Sequence, residues 1–73
     1  MIEITCDRKR STARGRNGWF SLARIEVKEV AMQVWIDAYS RRAGKDAPVM
    51  IDITLDEAEK LAHALLEAVN GKA

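Results

Sequence analysis

A threonine three residues ahead of a glutamate, where an alternating apolar pattern gives way to a helical one, constrains this chain more than any other feature. In residues 48–71, PVMIDITLDEAEKLAHALLEAVNG, Val49, Ile51 and Ile53 alternate with Met50, Asp52 and Thr54, the period of a half-buried strand. Thr54 and Glu57 have capping-box spacing: the hydroxyl accepts from the Glu57 amide while the carboxylate reaches back to the Thr54 amide. Ile53 and Ala58 hold the hydrophobic-staple positions. Asp56, Glu57 and Glu59 lie where the positive end of the helix dipole favours carboxylates. Ala58, Leu61, Ala62, Leu65, Ala68 and Val69 step by three and four down one face, and Asn70-Gly71 supplies a C-terminal stop. The spacing predicts a strand running straight into a helix over 55–70.

The rest of the chain reads as strands. Ile2, Ile4 and Cys6 alternate with Glu3, Thr5 and Asp7 in a first strand over 1–7. Residues 8–18, RKRSTARGRNG, have no period and form a loop or a wide hairpin end with Asn17-Gly18 at its tip. A second strand over 19–27, WFSLARIEV, has no cleanly apolar face, as expected where a bulge or twist switches faces partway. Lys28-Glu29 is read as the turn into a third strand over 31–40, which sets Met32, Val34, Ile36 and Ala38 against Gln33, Trp35, Asp37 and Tyr39. A polar loop over 41–48 ends in Pro48, which favours an extended entry into the last strand. The expected fold is α+β: a four-stranded antiparallel meander with one C-terminal helix packed on one face. Its Leu61/Leu65 stripe is expected to cross the face of Met32, Val34, Ile36 and Ala38. Trp35 and Tyr39 then lie on a second face that meets solvent, another subunit or a ligand.

Seventy-three residues make a single domain, and a core this small is marginal without disulfide, metal or self-association. Cys6 is the only cysteine and His63 the only histidine, so neither an internal disulfide nor a metal site of known spacing is expected. Self-association, as a homodimer, is the remedy left. The alternation of apolar and charged residues from the start is unlike a targeting peptide, and no apolar run reaches the ~18 residues of a membrane helix. The expectation is a protein of a reducing cytosol with no membrane partner.

The net charge of +1 conceals an asymmetry. Residues 1–45 carry ten Lys/Arg against five Asp/Glu, and residues 46–73 carry two against six. Arg8, Lys9, Arg10, Arg14 and Arg16 crowd one loop; Arg41, Arg42 and Lys45 crowd another. In a four-strand meander both loops emerge at the same end, where the cations would rim a face holding Trp35 and Tyr39. Cations neutralise phosphates and exposed rings stack bases, which is the chemistry of single-stranded nucleic-acid binding. Solubility alone also makes loops polar, and tryptophan, tyrosine and arginine are equally the residues of protein interfaces. Nothing reads as an enzyme: Cys6 points inward with Ile2 and Ile4, capping accounts for Asp56 and Glu57, and Gly15-Arg16-Asn17-Gly18 lacks phosphate-loop spacing. No cofactor is expected.

The third strand, a basic glycine-containing loop, a strand ending in Ile-Thr-Leu-x-x-Glu and a terminal amphipathic helix together resemble the single-stranded DNA-binding domain of the transcriptional coactivator p15 (positive cofactor four) family, over roughly residues 32–70. The resemblance implies four antiparallel strands and one helix, a dimer to which Leu61, Leu65 and Leu66 contribute, and strands and loops that bind single-stranded DNA. It transfers no individual binding residue. Two functional expectations stand beside each other. One is a non-enzymatic nucleic-acid-binding module. The other is a small protein-binding inhibitor or regulator of a host complex, of the anti-CRISPR or anti-defence type carried by phages and mobile elements, using its arginines against an acidic protein surface.

Overall fold

A computed structural model describes residues 1–41 and 48–71. The class is α+β: an antiparallel sheet followed by one C-terminal helix. The described strands are β1 (Ile2–Thr5), β2 (Thr12–Gly15), β3 (Gly18–Val30), β4 (Gln33–Ser40) and β5 (Val49–Thr54), and the helix is α1 (Leu55–Gly71). These five strands occupy four rows. β1 and β2 both pair with β3, at successive points along it, and β4 and β5 follow on its other side. The meander expected from the sequence is therefore present, with its first row interrupted between Thr5 and Thr12.

Two turns differ from expectation. The β3–β4 turn is Ala31-Met32, closed by the pair Val30↔Gln33, and Lys28 and Glu29 lie within β3. Ala31 and Met32 both have positive φ, 51° and 66°, as a two-residue primed turn requires to match the strand twist. The Glu29 carboxylate accepts the Met32 amide at 2.7 Å, which ties the turn back to β3. Met32 thus belongs to the turn, 70% exposed, and not to the apolar face. At the other hairpin, Gly15 pairs with Gly18 and Arg16-Asn17 form the tip.

The face switch expected in the second strand occurs at a bulge. Leu22 pairs with Ser40 but Arg24 pairs with Tyr39, leaving Ala23 as the extra residue of β3. Directly opposed residues share a face, so the bulge places Phe20 and Leu22 on the same side as Ile25 and Val27. That side continues through Ile2↔Val27, Ile4↔Ile25, Val27↔Ile36, Ile36↔Ile51 and Val34↔Ile53. It is apolar apart from Glu29 and Ser40, at opposite ends of the β3–β4 ladder.

The helix starts where the sequence places it. The Thr54 amide donates to Glu57 Oε1 at 3.0 Å and the Glu57 amide donates to Thr54 Oγ1 at 3.1 Å, the reciprocal box. The cap's position sends α1 off the end of β5, and its contacts with the sheet are chiefly to β5 and β4. Ala58 is half-buried and Leu61 38% exposed, but Leu65, Leu66 and Val69 stand 59–69% exposed. The apolar stripe thus meets the sheet only at its foot, and most of it stands exposed among the described residues. Among the described residues only Leu22 and Asp37 are buried, and no large side chain is fully enclosed.

Candidate functional site

The interruption of the first row builds a cationic projection. The Asp7 carboxylate accepts the amides of Lys9 and Arg10 at 2.8 and 2.9 Å, a local side-chain turn that such short acceptors favour. The Ser11 amide donates to the Asp7 carbonyl at 3.2 Å, and the Leu22 amide to the Ser11 carbonyl at 2.9 Å, which returns the chain to β3. Arg8, Lys9 and Arg10 ride on this turn, all exposed. The Ser21 hydroxyl donates to the Arg8 carbonyl at 2.9 Å. Arg41 closes against the same segment: its amide donates to the Ser21 carbonyl at 3.4 Å and its guanidinium to the Cys6 carbonyl at 3.3 Å.

The β2–β3 hairpin adds the rest. Arg14 stands opposite Trp19 and Thr12 opposite Ser21, so arginine and indole share one face. On the reverse, a Cβ at Gly15 would come within 3.2 Å of the Phe20 ring and 3.8 Å of Pro48; glycine here lets phenylalanine lie against the backbone. Gly18, at φ +107°, takes a conformation that side chains disfavour. Trp19 is 72% exposed and borders an open hollow of about 460 Å³ shared with Phe20, Ser21, Ser40 and Arg41. Arg16 lines the neighbouring hollow, again with Trp19.

Arg8, Lys9, Arg10, Arg14, Arg16 and Arg41 make no ion pair among the described residues; the ion pairs there involve Arg24 and Lys60. Asp7, the nearest carboxylate in sequence, is engaged with backbone amides. These cations are therefore available to an external anion. Arg42 and Lys45 lie outside the described residues.

Trp35 and Tyr39 lie farther along the sheet, on the same side as Arg14 and Trp19 and opposite the apolar one, and each carries its own cation. Lys28 Nζ lies 5.3 Å from the Trp35 ring and the Arg24 guanidinium 4.0 Å from the Tyr39 ring. Arg24 also pairs with Glu26 at 2.9 Å and lies 3.8 Å from Glu3. The hydrogen bond to Glu26, aided by the charges of Glu26 and Glu3, raises the Arg24 pKa above its ordinary value. With Asp37 and Asp52 on the same face, carboxylates outnumber cations there. The structure thus divides the expected site residues into two groups: the arginines of the hairpin end, and two aromatics within a charged network. The exposed aromatic beside the arginines is Trp19, which the sequence marks only as the start of the second strand. Its place after Asn17-Gly18 marked a strand start, but not the side on which the ring emerges.

No group of three or more metal-ligating side chains occurs among the described residues, and no helix there is long and apolar enough to cross a membrane. Compared with protein-family models, curated proteins and solved structures, the chain matches none of them.

Proposed function

We propose that this chain is a non-enzymatic module that binds single-stranded nucleic acid through its hairpin end and works as a homodimer. One observation carries the reading: six cations with no ion-pair partner among the described residues are grouped with a tryptophan left 72% exposed. Arg8, Lys9, Arg10, Arg14, Arg16 and Arg41 neutralise phosphates, and the Trp19 ring stacks a base whatever its identity. The Ser11 and Thr12 hydroxyls beside the arginines add phosphate donors. A projecting ring favours a single strand over a duplex, whose bases are already stacked. In this reading Trp35 and Tyr39 serve the charged network on the sheet.

The second reading is a protein-binding regulator that sets the same end against an acidic protein surface. The pairing of Arg14 with Trp19 favours it too, because arginine and tryptophan dominate interface anchors. Fluorescence separates the two. In a Trp35→Phe variant Trp19 is the only tryptophan, and stacking of a base should quench it on addition of a single-stranded oligonucleotide. Unchanged emission at low salt, with saturating oligonucleotide, rules out the stacking role.

A further inference from the structure

The apolar side of the sheet and the apolar stripe of α1 are two surfaces of one chain that do not cover each other. A compact monomer of 8.2 kDa exposes about 4,500 Å². This chain exposes 6121 Å², so it carries an excess of about 1,600 Å² over that expectation. Obligate interfaces bury about 1,000–2,500 Å² on each partner, the same order as this excess. The bare surface is where the excess is visible: Ile2, Ile4 and Ile51 on the sheet are 43–65% exposed, as are Leu65 and Leu66 on the helix at 59% and 61%.

We propose that the apolar sheet face and the α1 stripe are the self-association surface of this protein, covered by a second copy of the same chain in a twofold arrangement. This identifies the interface of the proposed homodimer and does not depend on nucleic-acid binding. Three arguments select a second copy. The cover has to be present whenever the chain is folded, since without it no large side chain among the described residues is fully enclosed; a copy made alongside it meets that requirement. The sheet face carries one charged residue, Glu29, at its margin, so it offers nothing to recognise a charged partner and matches the apolar composition of homodimer interfaces. A sheet face and an amphipathic helix are also the two layers of an α+β core. They stand apart in one copy and close into a shared core when two copies present the same surfaces to each other. The interface therefore lies on the side of the sheet away from Trp35.

Light scattering at micromolar concentration should report twice the 8.2 kDa chain mass, and the urea midpoint should rise with protein concentration, as it does when folding and association are coupled. Leu65→Glu combined with Leu66→Glu alters two side chains that already face solvent in the single chain. It should abolish the dimer, whereas Trp35→Ala should preserve it. If the double variant fails to fold, the wild-type midpoint decides. A wild-type monomer with a concentration-independent midpoint overturns the proposal. So does a dimer that survives the glutamates and is lost on Trp35→Ala. Neither measurement reads oligonucleotide binding, so either result leaves that half of the proposed function to its own test.

Discussion

Arg14 and Trp19 are paired directly across the β2–β3 hairpin, which puts an arginine and an indole on the same face of it. The hairpin reaches this geometry because Gly15 admits the Phe20 ring on one side and so leaves the other side to Arg14 and Trp19. Trp19→Ala is expected to weaken oligonucleotide binding by about 1–3 kcal/mol, the usual cost of losing one stacked base. Because the ring is 72% exposed, the thermal midpoint should barely move. Fluorescence anisotropy and calorimetry on the same sample check both statements.

The β3–β4 turn is under backbone strain. Alanine and methionine at φ 51° and 66° each occupy a region that costs a non-glycine residue roughly 1–2 kcal/mol. Replacing them with the pair such turns prefer, Ala31→Asn with Met32→Gly, should stabilise the fold by about 1 kcal/mol after the entropy lost by glycine is deducted. In a chain of this size that is a rise of about 4–8 °C in Tm.

The helix cap makes stability depend on pH. Hydrogen bonds from the Thr54 amide and hydroxyl, with a smaller contribution from the charge of Lys60, hold the Glu57 pKa below its ordinary value. A carboxylate with a depressed folded pKa contributes stability that is present above its unfolded value and lost as pH falls through the folded one. Stability measured from pH 7 downward should therefore decline through the acid range, and Glu57→Gln should remove part of that decline. Thr54→Ala, which deletes the cap itself, is expected to cost about 1 kcal/mol at neutral pH.

How much of this was legible in the sequence follows from what each signal depends on. The Thr54/Glu57 box is local chemistry between neighbours, so its spacing alone placed the start of α1. The face switch near Ala23 was also legible, because neither parity of residues 19–27 gives an apolar side. The β3–β4 turn was not. Ala31 and Met32 carry no turn chemistry, and their conformation is imposed by the ladders on either side and by the Glu29 carboxylate. β2 was hidden for a similar reason: Thr12–Gly15 has no apolar alternation, and it becomes a strand only because β3 continues past β1 and offers it an edge. The grouping of arginines at one end followed from meander topology, and Arg41 does close against the segment that carries Arg8. Which tryptophan accompanies them depends on the bulge and on Gly15, and exposure of a single ring has no sequence signature.

The most direct test of the binding account is the salt dependence of single-stranded oligonucleotide affinity. Counterion release gives a slope in log K against log salt of about −0.7 for each phosphate neutralised on a single strand. With four or five of the hairpin-end cations engaged, the slope should be near −3, with weaker binding to a duplex of the same sequence. Arg14→Ala with Arg16→Ala should flatten it by about 1.4, two contacts' worth, with the fold unchanged. Absence of binding at low salt, or a slope that the arginine substitutions leave untouched, would contradict the account and assign these cations to an acidic protein surface.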